Sequence, residues 1–323
     1  SFSRLDDKSD DTEAAAKFNT LRLGLFFNDE IRVNENFTLN LGVRADYTKF
    51  LTTPREDKFF NDTAIRAINQ FYDLKGARSG QISSPAIAIS PRIGFTYRIP
   101  EENLVIRGGI GMFTGRVPLV WPGGVYNQNG VSLGGVDLST SLIPNAIQPP
   151  LFNSNPFGQP NAAQLGININ DQRGQIDLIA EDFKLNKLLR ASLAADKRLN
   201  NNWTLTFEAI VSKNINEIYY ENVNIIPPSI ALTGAGSGET RKIYTTGNLP
   251  SRIPMRSNGV NPYQGNVFLL SNNQGDKGFA YNFTVGVNKI YKDNWSFTAN
   301  YTFGNSVTTY EGTSSQNNSQ WNN

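Results

Sequence analysis

The stretch TLRLGLFFNDEIRVNENFTLNLGVRADYTKF (20–50) decides the fold class. Its first half alternates. Leu21, Leu23, Leu25, Phe27, Ile31 and Val33 fall on one face, and Thr20, Arg22, Gly24, Asn28, Glu30 and Arg32 on the other. Phe26 departs from the polar set and Asp29 from the apolar one. After the polar turn Asn34-Glu35-Asn36, a second run sets Phe37, Leu39, Leu41, Val43, Ala45 and Tyr47 against Thr38, Asn40, Gly42, Arg44, Asp46 and Thr48. A period of two on both sides of a short Asn-rich turn predicts a β-hairpin.

The same pattern returns three times, at 91–116, 187–216 and 278–309. Ile93, Phe95, Tyr97 and Ile99 alternate with Arg92, Gly94, Thr96 and Arg98. Trp203, Leu205, Phe207, Ala209 and Val211 oppose Thr204, Thr206 and Glu208. Trp295, Phe297, Ala299, Tyr301 and Phe303 oppose Ser296, Thr298, Asn300 and Thr302. Eight strands result, each of roughly 9–14 residues, where a tilted strand crossing a bilayer needs about 9–11 and an average globular strand has about 5–6.

The connections are lopsided. Turns inside the hairpins take two to four residues, whereas those between hairpins run over 52–88, 117–186 and 218–277. Compact soluble domains rarely carry one structureless loop beyond about 12–15 residues. Outer-membrane barrels combine short periplasmic turns with long extracellular loops. Tyr97, Trp203, Tyr291 and Trp295 sit beside the short turns, where an aromatic girdle belongs. The polar face is Thr, Ser, Asn, Gly and Arg rather than Lys and Glu, which suits a hydrated barrel interior. The reading is an all-β fold, an antiparallel transmembrane β-barrel segment with long extracellular loops.

Composition excludes several chemistries. The 323 residues carry 30 Lys plus Arg and 28 Asp plus Glu, for a formal net charge of +2, with no His and no Cys. That rules out a Ser-His-Asp triad, a Cys nucleophile and His- or Cys-held zinc or haem. The chain reads as no enzyme and implies no cofactor or metal. Near-neutral charge argues against a nucleic-acid surface. No apolar run reaches the ~18 residues of a transmembrane helix. Asn is abundant, at 39 residues.

The first strand starts, and the eighth ends, on the long-loop side. Both ends of the stretch are therefore expected outside the cell. The expectation is an internal piece of a larger barrel, about eight strands of it, without the plug domain or terminal strand.

Several segments resemble the TonB-dependent outer-membrane receptors, most of all the Oar-like group with a carboxypeptidase-regulatory-like N-terminal domain. They are LFFNDEIRVNENFTLNLGVRADYT (25–48), SPRIGFTYRI (90–99), VIRGGIGMFTGRVP (105–118), NPFG (155–158), ADKRLNNNWTLTFEAIVSKN (195–214), NVFLLSNNQG (266–275) and YTFGNSVTTYEGTSSQNNSQWN (301–322). The order of the segments, more than any one of them, carries the likeness. The resemblance implies a barrel of 22 strands filled by the protein's own plug domain, and transport energised by a TonB complex. It also implies outer-membrane lipid around the wall and leaves room for a surface lipoprotein or protein partner on the loops. The group is common among Bacteroidota and myxobacteria.

Other patterns have simpler explanations. Gly234-Ala235-Gly236-Ser237-Gly238 lacks the Lys-Ser/Thr of a phosphate loop and reads as a loop tip. Gly109 and Gly111 lie within a strand and are expected to leave space where a plug or ligand approaches closely. Asp6, Asp7, Asp10, Asp11 and Glu13 lack calcium-loop spacing, and Asp177, Glu181 and Asp182 likewise read as solvated loop acids. Segment 62–75 shows a short helical period, with Asp62 or Thr63 as its N-cap.

The candidates for ligand contact are loop aromatics set among Asn, Gln and Gly: Trp121, Tyr126, Phe152, Phe157, Tyr219, Tyr220, Tyr244 and Tyr263. Aromatics with amide donors suit peptides, glycans or partner surfaces. The candidates for lining the lumen are Arg22, Arg44, Asp46, Arg92, Arg107, Arg190 and Glu208. A transporter captures a solute at the loops and passes it along this lumen. The alternatives are an outer-membrane adhesin or structural barrel without transport, and a soluble β-rich domain binding glycan or protein.

Overall fold

The structure is a computed structural model describing residues 2–3, 15–116, 118–134, 151, 153–155, 158, 160, 164, 173–228, 230–231, 242–243, 245–246, 249–250, 252–255, 263, 266–275, 277–292 and 294–309. Its principal elements, in chain order, begin with β1 (Thr20–Arg32), β2 (Phe37–Phe50), α1 (Ile65–Ile68), β3 (Ala88–Ile99), β4 (Leu104–Thr114) and α2 (Val120–Asn127). They continue with β5 (Ile176–Ile179), β6 (Lys187–Arg198), β7 (Trp203–Asn216), β8 (Ile218–Asn222), β9 (Val267–Asn272), β10 (Phe279–Lys292) and β11 (Trp295–Val307).

Eight long strands form one antiparallel sheet in the order β1-β2-β3-β4-β6-β7-β10-β11, each paired with its neighbours in sequence. The registers keep like with like. The rung through Asp29, Leu41, Ile93 and Ile110 is apolar but for Asp29. The next, through Asn28, Gly42, Arg92, Gly111, Arg190 and Ser212, is polar. A one-residue slip would exchange the two faces along the whole strand. The apolar face stays uncovered: Leu23, Leu25, Phe27, Leu193, Phe283 and Phe303 are all more than half exposed or nearly so. A soluble protein would bury such a surface, whereas lipid covers it in a membrane barrel.

Asparagine makes the short turns. Asn103, Asn202 and Asn294 each take a positive φ, between 49° and 65°, which Asn tolerates better than other residues with a Cβ. In the first turn the Asn34 side chain accepts hydrogen bonds from the N–H groups of Asn36 and Phe37, at 2.9 and 2.8 Å. At this end aromatics cluster. Trp203 and Trp295 meet edge to face at 5.8 Å, Phe37 and Tyr97 at 6.1 Å, and the Lys289 ammonium lies 4.0 Å over the Trp295 ring.

The described parts of the three long connections are folded. They share one hydrophobic core at the other end of the wall. Phe60, Ile68 and Leu74 come from the first connection, Val125, Ile176 and Leu178 from the second, and Val223, Met255, Val267 and Leu269 from the third. Strand β9 lies at the centre of a three-stranded sheet, antiparallel to β8 and parallel to β5. Full burial of β5 and of most of β9 explains their lack of polar alternation, in VFLL and, but for Asp177, in IDLI.

The helix in the first connection differs from expectation. It starts at Lys58 and ends at Ile68, with a π-turn over Phe60–Ala64. Its cap is Asp57, whose carboxylate accepts the Phe60 N–H at 3.2 Å, so neither Asp62 nor Thr63 caps it. The period mislocated the helix because its buried side, Phe60, Ala64 and Ile68, begins before the window.

Candidate functional site

Two regions bring polar groups together: the cap built by the long connections, and the polar face of the wall beneath it.

In the cap, the Asp57 side chain is 1% exposed and meets residues from all three connections. The Arg173 guanidinium forms an ion pair with it, the Tyr263 hydroxyl donates to it at 3.0 Å, and the Ser79 hydroxyl accepts the Asp57 N–H at 2.8 Å. Arg173 also lies 5.0 Å over the Phe59 ring. An interior charge is tolerated only when paired and hydrogen-bonded, so this node holds three distant segments at one point. Nothing in local sequence marks Asp57 or Arg173, because their partners are more than 100 residues away.

The loop aromatics divide. Tyr126, Tyr220 and Tyr263 are buried. Tyr263 belongs to the Asp57 node and packs edge to face on Phe60 at 5.9 Å. Trp121 and Tyr220 pack together at 5.9 Å. Tyr126 stacks on Phe18 at 4.6 Å and donates its hydroxyl to the Thr52 carbonyl at 2.5 Å; burial pushes its phenol above the ordinary value. These four act as packing. Tyr219 alone of the described candidates is exposed. Phe152, Phe157 and Tyr244 lie outside the described residues.

Asp177 is a correction. It lies in β5 and is 6% exposed, with Gln175 Nε2 donating to it at 2.7 Å. The reading of a solvated acid fails because β5 is buried along its whole length. Glu181 and Asp182 are exposed.

A cavity of about 790 Å³ runs between α2 and the start of β1, bordered by Phe18, Gly124, Asn127, Gln175 and Asp177. A second, of about 360 Å³, opens at the cap end of the polar face. Arg22, Arg44, Asp46 and Arg116 border it. Arg44 and Asp46 are joined side by side, at 2.7 and 2.6 Å, and their contact lies over Gly24, where a Cβ would come within 2.7 Å of Arg44.

Further along, Arg92 and Arg190 sit on either side of Gly111 in register, and both guanidiniums lie over the Phe113 ring, at 5.3 and 6.0 Å. Gly111 is thus explained by the wall itself: a Cβ there would meet Arg92 at 2.9 Å and Phe113 at 3.3 Å. Near the short turns the charges are paired, with Arg107 on Asp196 at 3.1 Å and Thr206 donating to Asp196 at 2.7 Å. Glu208 and Arg107 border the same shallow depression over Gly94 and Gly109. No group of three or more potential metal ligands occurs among the described residues.

At the rim, the buried Glu217 ties three wall strands. It accepts from Asn214 Nδ2 at 3.0 Å, the Gly278 N–H at 2.8 Å, the Thr308 hydroxyl at 2.7 Å and the Thr309 N–H at 3.0 Å.

Comparison with known proteins gives a family and a set of distant structural likenesses. The model of the family described as "outer membrane beta barrel domain" matches residues 5–323. No curated protein matches the chain. Among solved structures, the siderophore receptor PirA of Pseudomonas aeruginosa is 12% identical at a TM-score of 0.43, over 90% of this chain and 35% of that one. PirA of Acinetobacter baumannii is 12% identical at 0.44, over 96% and 32%. The iron transporter FrpB of Neisseria meningitidis is 10% identical at 0.41, over 91% and 27%. The chain spans about a third of the length of these structures.

Proposed function

The chain belongs to the outer membrane beta barrel domain family, a protein of the bacterial outer membrane, and on that premise we propose that it forms part of the wall of a TonB-dependent receptor of the Oar-like group. The observation that carries this is the eight-stranded sheet with one apolar face, one arginine-rich polar face and a folded cap at one end. The open edges support it. Among the described residues, strands β1 and β11 each pair on one side only, and an unpaired edge is not sustainable in hydrocarbon. Further strands complete the wall, 22 in all.

In this reading the short turns face the periplasm and the cap faces the cell exterior. The polar face, with Arg22, Arg44, Asp46, Arg92, Arg107, Arg190 and Glu208, lines the lumen. The cap presents a solute to that lumen, which the protein's own plug domain closes until the TonB complex moves it. Tyr219 and the cavity bordered by Phe18 and Asp177 are the surfaces for the solute or a surface lipoprotein.

The experiment is to purify the native full-length protein from outer membranes and test it two ways. Co-elution with the periplasmic domain of TonB, together with a closed conductance in planar bilayers, supports a receptor. An open conductance without TonB binding points instead to a scaffold or adhesin barrel. Folding without detergent or lipid contradicts the barrel.

A further inference from the structure

Helix α2 runs through Pro122, Gly123 and Gly124, although glycine inside a helix is unfavourable against alanine. Packing accounts for Gly124, because a Cβ there would strike the Asp177 carboxylate. It does not account for Gly123. A Cβ there would meet Phe18 at 3.8 Å and Ala16 at 3.9 Å, which is ordinary van der Waals contact, so the fold has room for alanine. Both glycines border the 790 Å³ cavity and leave the middle of α2 without a side chain there. A glycine that the surrounding packing does not need suits a place where a ligand comes close to the backbone.

The rest of the border is polar with little charge. Asn19, Asn127, Gln128 and Gln175 bring four side-chain amides, and Thr20 a hydroxyl. Among the bordering residues Lys17 and Asp177 alone are charged, one of each sign. Gln175 is fixed by its hydrogen bond to Asp177 at 2.7 Å, and Phe18 by stacking on Tyr126 at 4.6 Å. An amide both donates and accepts, as a hydroxyl does, so this border matches a ligand dense in hydroxyl groups and without net charge. The volume is that of a small-molecule site. A peptide fits less well. An added strand needs an open sheet edge, and the edge of β5 is closed here: the Gln128 carbonyl accepts the Asp177 N–H at 2.7 Å, and Asn129 bridges to Ile176.

We propose that this cavity binds a free neutral oligosaccharide of a few units against the bare backbone of α2. The inference deepens the receptor reading, and rests on it for delivery of the sugar to the lumen. The native full-length protein in lipid nanodiscs is titrated by calorimetry with maltotriose, cellotriose, xylotriose and chitotriose as probes. Trigalacturonate is the acidic control and triglycine the peptide control. The expected result is saturable binding of at least one neutral trisaccharide, unchanged by added salt, and of neither control. Gly123→Ala is expected to weaken that sugar by about tenfold or more, since its methyl takes the space of the ligand. Its thermal midpoint stays the same or rises, a combination that a purely structural glycine would not give. Asn127→Ala weakens the sugar about fivefold, the size of one neutral hydrogen bond. Retained heat-modifiable migration shows that both variants fold. Absent binding of all four sugars, or binding that neither variant changes, overturns the proposal. So does triglycine binding that Gly123→Ala removes, because the cavity then takes peptide. If no sugar binds while TonB still co-elutes, the sugar site falls and the receptor reading stands. If a sugar binds without TonB, the site stands and the receptor reading falls.

Discussion

Asp57 and Arg173, 116 residues apart in sequence, form the buried ion pair at which the three long connections meet. Removing one partner leaves the other charge buried without compensation, which costs about 3–5 kcal/mol. Asp57→Ala is therefore expected to open the cap while the wall stays assembled. Limited proteolysis is expected to cut within 52–88 and 173–186 in the variant. Tyr263→Phe removes one hydrogen bond to a charged group, about 1.5 kcal/mol, and should loosen the cap without opening it.

Glu217 sets an acid limit on the rim. Burial alone would push its pKa up, but the hydrogen bonds from Gly278, Thr308, Thr309 and Asn214 outweigh burial and hold it below the usual carboxylate range. A lowered folded value means that the tie is fully present above the ordinary Glu value of about 4.3. It is lost as the pH falls through the lower folded value. Thermal unfolding followed by heat-modifiable migration should show a midpoint that drops in this acid window. Glu217→Gln should lower the midpoint at neutral pH and flatten the drop.

The two faces predict opposite tolerance. Leu41 and Phe283 lie on the apolar face, and an arginine at either is expected to cost about 2–4 kcal/mol near the membrane midplane. Assembly into the outer membrane should fall sharply for Leu41→Arg and Phe283→Arg. Asn282→Arg, one residue away on the polar face, should assemble normally. Normal assembly of all three would reverse the facing assignment.

The turn asparagines can be tested with a paired substitution. Asn103 and Asn294 hold φ values of 49° and 65°. Ala at either position is expected to destabilise its hairpin by about 1 kcal/mol, and Gly should be tolerated. Refolding yield into detergent micelles distinguishes the two.

The wall was legible in the sequence and the cap was not. Alternation from Thr20 to Phe50 reports a surface with two different solvents, and that pattern is local. The cap core is assembled from Phe60, Ile176 and Val267, which no short window contains together. Two signals were available. The runs IDLI (176–179), apolar but for Asp177, and VFLL (267–270) are too short for a wall strand and lack its alternation, and they suit strands buried on both faces. The Asp57 node left no signal, since an acid immediately before an aromatic-rich helix resembles any N-cap. Arg116 and Phe113 escaped notice because their neighbours are set by cross-strand register rather than by sequence.

In a membrane wall, alternate residues of one sheet face lipid and water. The chain has no cysteine of its own, so single cysteines along β10 and β11 report position by position. Cysteines replacing Phe283, Thr284, Val285, Thr302 and Phe303 in the native full-length protein are labelled in intact outer membranes with a water-soluble and a lipid-soluble maleimide. Water-soluble labelling is expected at 284 and 302, and lipid-soluble labelling at 283, 285 and 303. Equal labelling of both sets by the water-soluble reagent would contradict a membrane wall.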